Sequence, residues 1–475
     1  MLRHFSVVLF LGAVLVCATH VRAQALRDSD RLPQPLTLRA AVNYALAHHP
    51  RMNAEIGTEE ASSANLEIAR SHYIPEGYIG LQENRATGNV VPGSHFNMIG
   101  IPPISGPPRD RVFDSGVWGS TAGLSLAYDI GHLTQKMALV DASLAQRRGA
   151  QAGVEAESLS VAFGAADAFA AVVQAERQVD AARAALKRAQ VFENTVEARV
   201  RSGLRPGADA ARAAAETAAA DRNLIKTEEV KGLSDGQLAE ALGAAGQSVQ
   251  VIPGRLATHV PAEESSAVFI TSRNPSIVAS QQDVHAAQDR ERAAMLEYVP
   301  RVEIAAALFG RGNGLFPGGA DLHFGQGLVP DTPNWAAGIV ITIPILEYPE
   351  IRARNDLAKA QERIATAHRS EVVQQIQTQV DSARTILKAS FRAAREAQIE
   401  LESSHAAVDQ AEARYKAGLY AVDPVAETLR LLAEAEADDA VARVDVWRAK
   451  LLLARAVGDM GPLLKSIDEA STEDR

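Results

Sequence analysis

Only one cysteine, Cys17, occurs in this chain, and it lies in the N-terminal apolar run FSVVLFLGAVLVCA. A thiol nucleophile, a cysteine-ligated metal and a disulfide framework are therefore not expected of the rest. Arg3 and His4 precede the run, and Val21 and Ala23 put small residues at positions −3 and −1. That pattern is a secretory signal spanning residues 1–23, with Gln24 as the mature start. A dozen or so apolar residues fall short of the ~20 a helical anchor needs. The residues before Cys17, VLV, lack the small side chain of a lipidation signal.

Positive charge is scarce as well. Lys and Arg total 48 against 58 Asp and Glu, a net charge of −10 that becomes −12 once Arg3 and Arg22 are removed. With no basic cluster, nucleic acid is not an expected partner. Beyond Ala23 no continuous apolar run approaches 18 residues. Entry into a membrane would therefore be as strands in a closed barrel. Aromatic residues make up 5%, thin for globular cores and common in long helical packing.

What the chain has is repetition. ARVRSGL (198–204) returns as ARYKAGL (413–419), and GLSLAYDI (123–130) is echoed by GIVITIPI (338–345), both at an offset of 215. Upstream, Pro50 matches Pro275 and YIP (73–75) matches YVP (298–300), at an offset of 225. The change of offset falls after each YxP, in a segment expected to be a surface loop. Residues 24–245 and 267–457 thus read as two copies of one unit. A Pro/Gly/Ser-bearing crossover (246–266) joins them, and a polar tail (458–475) follows that is expected to be mobile.

In the second copy, small or apolar residues recur at alternating steps of four and three, from Ile376 through Val380, Ala383 and Leu387 to Tyr415. The first copy repeats the seam from Val161 to Val200, broken only by Glu193. Such heptads predict coiled-coil helices over about 135–201 and 351–416, each roughly 100 Å long. Gly203 and Gly418 stand where left-handed C-caps belong, and Arg199, Arg201, Arg414 and Lys416 complement the negative helix ends. Turns holding Pro206 and Pro424 then lead into return helices, making antiparallel hairpins.

Before each long helix lie two segments of period-two alternation: weakly in PEGYIGL, clearly in GLSLAYDI, PRVEIAAAL and GIVITIPI. They read as half-buried strands joined by Gly/Pro-rich loops over roughly 83–117 and 309–334. GRGNG (310–314) lacks the Lys-Ser/Thr and helix of a phosphate loop and reads as loop. Four strands cannot enclose a lumen, so a membrane barrel would need several chains.

Taken together, LTLRAAVNYALAHHPRM, the paired YxP motifs, the strand-then-long-helix order and the two ARxxxGL tips resemble the TolC-like outer membrane efflux protein family over residues 36–460. The resemblance implies a mainly α fold with a small β part. Long helical hairpins would form a tunnel, and four strands per chain would build a twelve-stranded barrel in a homotrimer. Short helices (about 37–72 with 208–243, and 264–297 with 425–457) would stack beside the continuous ones. It further implies a passive exit duct in the outer membrane with a long periplasmic extension. Its partners would be a periplasmic adaptor and an inner-membrane pump of resistance-nodulation-division or ABC type, or a type I secretion transporter.

By the same resemblance, Arg199, Gly203, Leu204, Arg414, Gly418 and Leu419 form adaptor-docking tips, and Asp209 and Glu427 line the periplasmic entrance. Asp423 lies one position from where a further carboxylate is usual, because Pro424 takes that place. Tyr420 stands where a tethering arginine can occur. The acidic residues also fit simple helix N-terminal stabilisation. No nucleophile motif and no metal-ligand spacing appear, so neither an enzyme nor a cofactor is expected. A periplasmic adaptor would carry one hairpin between β-rich halves, where this chain has two hairpins, each after a strand pair. A soluble coiled-coil scaffold leaves the export signal and the apolar-faced strands unexplained.

Overall fold

The computed structural model describes residues 32–87, 116–263, 273–314 and 327–472. The signal segment 1–23, the centres of both Gly/Pro-rich loops, residues 264–266 of the crossover and the last three residues lie outside these. In chain order the elements are α1 (Leu38–His48), α2 (Pro50–Ser71), β1 (Glu76–Thr87), β2 (Gly116–Asp129), α3 (Leu133–Arg201) and α4 (Gly207–Ala241). There follow α5 (Pro275–Met295), β3 (Arg301–Asn313), β4 (Thr332–Thr342), α6 (Tyr348–Lys416), α7 (Val422–Val457) and α8 (Gly461–Thr472). They belong to two compact units. One is drawn from residues up to 60, 149–280 and from 369 onward, the other from 61–148 and 281–368. The helices α3 and α6 run through both.

Both long helices have 69 residues, and they start and end 215 positions apart. Helix α6 begins at Tyr348, three residues earlier than the periodicity predicts. Pro349 sits in its first turn, where a missing N–H breaks no helical bond. The heptad seam is the packed face. Ile376, Val380, Ala383, Ala394, Ala397, Val408, Ala411 and Tyr415 are buried, as are Val161, Ala165, Val172, Ala175, Val179, Ala182 and Val196. Around Val161–Val173 the buried stripe of α3 widens to include Ala162, Ala166, Phe169, Ala170 and Val173. By composition α3 is also apolar enough to cross a membrane. Here those side chains form interior packing with α1, α4, α7 and the crossover.

Two of the short helices, α2 and α5, begin at proline. The helical span read over about 37–72 breaks between His48 and Pro50, because the residue before a proline is driven out of the helical region. His49 is extended (ψ 129°), and its Nδ1 lies 3.2 Å from the Arg51 N–H. Helix α5 likewise starts at Pro275, with Asn274 Oδ1 accepting the Ser276 N–H at 3.0 Å; residues 264–272 of the expected span lie outside the described residues. Each proline joint faces a left-handed glycine. A methyl on Gly243 (φ 74°) would stand 3.1 Å from His49 Cα, and one on Gly458 (φ 97°) 3.0 Å from Asn274 Cα. Both positions need glycine for conformation and for clearance.

One sequence expectation is corrected in the first unit. The tail expected to be mobile carries α8; Asp459, just before it, accepts the Gly461 N–H at 2.9 Å, and Ile467 within it is buried. Its Leu463 and Leu464 pack on the core that also holds Met460. The crossover is also structured: Val251 bridges Leu36 in parallel, Leu256 is buried in a short 3-10 turn, and His259 O accepts the Trp447 indole N–H at 2.8 Å.

In the second unit the strands form one antiparallel sheet of order β1-β2-β3-β4. Among the described residues, β1 and β4 each have one free edge. The register puts Ile79, Leu124, Leu308 and Trp335 in one row on one face, with Leu126, Tyr128, Ile304, Ile339 and Ile341 in neighbouring rows. Most of this face is exposed, reaching 85% at Ile79. The opposite face carries mainly small and polar residues, with Tyr78, Phe309 and Val340 among them. β3 runs to Asn313, so GRGNG is largely strand rather than loop. Its glycines let the segment after Gly327 lie close. A methyl on Gly312 would collide with the Val329 carbonyl, and one on Gly310 would stand 3.1 Å from Pro330 O.

Candidate functional site

The two hairpin turns are built alike. At the end of α3, Gly203 (φ 75°) donates its N–H to Val200 O at 3.0 Å, and Leu204 N–H reaches Arg199 O at 3.0 Å. At the end of α6, Gly418 (φ 80°) donates to Tyr415 O at 3.0 Å, and Leu419 N–H reaches Arg414 O at 2.9 Å. Both are Schellman caps, in which a left-handed glycine lets two N–H groups satisfy the last carbonyls. The leucine after each glycine usually folds back on its helix. Here Leu204 is 74% and Leu419 76% exposed, so each turn ends in a bare apolar side chain. Helix α7 starts at Val422, which places Pro424 in its first turn rather than in the connecting turn.

Beneath the turns, Phe192, Val196, Ala213, Ala411, Tyr415, Val422 and Val425 form a small core shared by both hairpins. Arginines of the first hairpin reach across it. Arg199 donates to Tyr415 O at 2.9 Å and Lys416 O at 3.2 Å, with its guanidinium 4.7 Å from the Tyr415 ring. Arg205 donates to Tyr420 O and lies 5.3 Å from the same ring. Arg212 pairs with Asp423 at 2.5 Å, and Arg188 with Glu436. Arg414 is exposed and donates to the Tyr420 hydroxyl at 2.5 Å.

The named candidates therefore divide by what they touch. Gly203, Leu204, Gly418 and Leu419 form the exposed turns, whereas Arg199 faces inward and ties the hairpins together. Of the carboxylates, Asp423 is occupied by Arg212. Glu427 is occupied by Arg430 at 2.7 Å, whose hydrogen bond holds its carboxyl below the usual range. Asp209 is half-buried at the start of α4 and has no side-chain partner among the described residues. Arg205, Arg212 and Tyr415 also link the two hairpins, and motif reading passed over them. The spacing Arg199, Arg205, Arg212 across the turn was the available signal. Among the described residues no group of three or more His, Cys, Asp or Glu is gathered as a metal would require.

Comparison with known proteins gives a consistent likeness. A family model described as outer membrane efflux protein matches residues 41–244 and 270–459. The pyoverdine export outer membrane protein OpmQ of Pseudomonas putida is 24% identical over 346 residues, covering 71% of this chain and 70% of its own. Among solved structures, CusC superposes with a TM-score of 0.74 at 14% identity, over 90% of this chain and 93% of that one. The open state of the MtrE outer membrane channel of Neisseria gonorrhoeae gives 0.71 at 18%, over 89% of both chains. At such identities the structures speak to the fold.

Proposed function

Because this chain belongs to the outer membrane efflux protein family, we propose that three copies join their sheets into one twelve-stranded barrel and bundle their long helices into a hollow tunnel. Members are passive outer membrane channels of efflux systems and not enzymes, working with a periplasmic adaptor and an inner-membrane pump. The duplicated unit supplies both halves of each wall. One observation supports the assembly above all: a four-stranded sheet with an exposed apolar face and two free edges. In hydrocarbon, unpaired edge N–H and C=O groups each cost several kcal/mol, about the price of leaving any polar group unsatisfied. Pairing β4 of one copy with β1 of the next removes every such edge.

The bare leucines of the turns are the surface offered to the adaptor. Arg199, Arg205 and Arg212 hold the two hairpins of one copy together behind that surface. Asp209, and more weakly the arginine-paired Asp423 and Glu427, give the periplasmic entrance its negative charge. Small-molecule cargo is the favoured reading, because the OpmQ relatives export pyoverdine. Membrane fractionation tests the whole proposal. The mature chain is expected in the outer membrane and, after detergent extraction, at the mass of a trimer. Recovery as a soluble periplasmic monomer would overturn it.

A further inference from the structure

We propose that Arg311 makes the outer end of the barrel a filter that favours anionic cargo, a role that rests on the trimeric duct proposed above. Along β3, Arg301, Glu303, Ala305, Ala307, Phe309 and Arg311 alternate with Val302, Ile304, Ala306, Leu308 and Gly310. The second set shares the exposed apolar face with Ile339, Ile341 and Trp335. Lipid against that face turns Arg311 toward the lumen. From Val302 to Gly310 the apolar set covers about 26 Å along the strand, which at the 35–45° tilt of membrane-barrel strands is about 20 Å of height, most of a lipid-facing band. Arg311 is the next residue, on the lumen side of the band's far end.

The register sets its neighbours. Gln82, Thr121, Arg311 and Thr332 occupy one row across all four strands, an amide, two hydroxyls and a guanidinium side by side. The adjoining row is Gly80, Gly123, Phe309 and Asn334, and the one beyond it Tyr78, Ser125, Ala307 and Ala336, with no charge in either. The other charges of this face, Glu76, Asp129, Arg301 and Glu303, cluster at the opposite end of the strands. There Arg301 meets Asp129 at 3.4 Å and Glu303 at 3.0 Å. Arg311, by contrast, has no ion pair among the described residues, and its buried Nε meets no acceptor there. A half-buried guanidinium among neutral donors is a site for a carboxylate, sulfonate or phosphate passing outward. Threefold symmetry makes it a ring of three positive charges, the arrangement that selects anions in pores.

The size of the effect follows from Coulomb attraction with salt screening. For three charges about 10 Å from the axis in water, local anion enrichment is about twofold at 0.15 M salt and four- to fivefold at 0.01 M. The test uses purified wild-type, Arg311→Gln, Arg311→Glu and Arg311→Lys trimers in planar lipid bilayers under a KCl gradient. Cations are depleted by the same factors, so Arg311→Gln should lower the anion-to-cation permeability ratio by their square, about three- to fourfold at 0.15 M salt and about twentyfold at 0.01 M. Arg311→Glu should lower it further, and Arg311→Lys should match wild type. Equal reversal potentials for all four conducting trimers would overturn the role of Arg311 and leave the duct intact. A wild-type protein that forms no conducting trimer would instead overturn the duct itself.

Discussion

Leu204 and Leu419 are predicted to carry the apolar part of adaptor binding, and their truncation has a size that follows from exposure. Fully burying a leucine side chain is worth about 1.5–3 kcal/mol. With 74% and 76% of each residue still exposed, docking can gain about 1–2 kcal/mol per leucine. Leu419→Ser should therefore weaken adaptor binding about five- to thirtyfold, and the double variant with Leu204→Ser roughly in proportion to the product. Because both side chains project from capped turns and contact little, trimer yield and thermal unfolding should stay at wild-type values. Biolayer interferometry with immobilised trimer and soluble adaptor reads the affinity, and drug resistance in complemented cells reads the consequence. A double variant that binds within twofold of wild type, with trimer intact, would refute leucine-mediated docking.

Other predictions address the frame behind that surface. Gly243→Ala and Gly458→Ala should destabilise the trimer more than Gly203→Ala or Gly418→Ala. All four take on the ~1–2 kcal/mol of a left-handed alanine, but only the first two push a methyl against backbone; urea unfolding gives the ranking. Burial raises the Asp445 carboxyl above its ordinary range, against the attraction of Arg448. Stability is then lost as pH rises through the interval between the unfolded and folded values. Asp445→Asn should melt higher than wild type at pH 7, and the gain should vanish below the ordinary carboxylate range. Asp209→Ala should raise the anion-to-cation permeability ratio in bilayer conductance more than Asp423→Ala, whose charge Arg212 already offsets; reversal potentials decide.

Much of this was legible in the chain because it depends on periodicity. Seams of small residues, left-handed glycines and period-two strands are local signals, and α3, α6 and both turns lie close to where those signals place them. Each strand overlaps its period-two segment and extends beyond it into a stretch read as loop. What was missed depends on approach between distant segments. GRGNG reads as loop until the chain after Gly327 comes over β3 and requires the absence of side chains at Gly310 and Gly312. The apolar residues of α8, Leu463, Leu464 and Ile467, have helical spacing, but twelve residues in a polar tail give too short a period to stand out. At the tips, glycine and leucine mark the turn, whereas the inward aim of Arg199, Arg205 and Arg212 depends on the neighbouring hairpin. Motif matching places Arg199 at the docking tips; its hydrogen bonds run to Tyr415 O and Lys416 O of the other hairpin.

The central claim, that copies of this chain complete one another's sheet, is tested most directly by disulfide trapping across the free edges. One cysteine is placed in β1, at Gln82, and a second is scanned along β4 at Thr332, Asn334 and Ala336. Removal of the signal leaves no native cysteine to interfere. Oxidation in intact cells should convert at least one of these double variants into covalently linked dimers and closed trimers, with single-cysteine controls unchanged. Monomers throughout, or a cross-link formed only within one chain, would contradict a barrel shared among three copies.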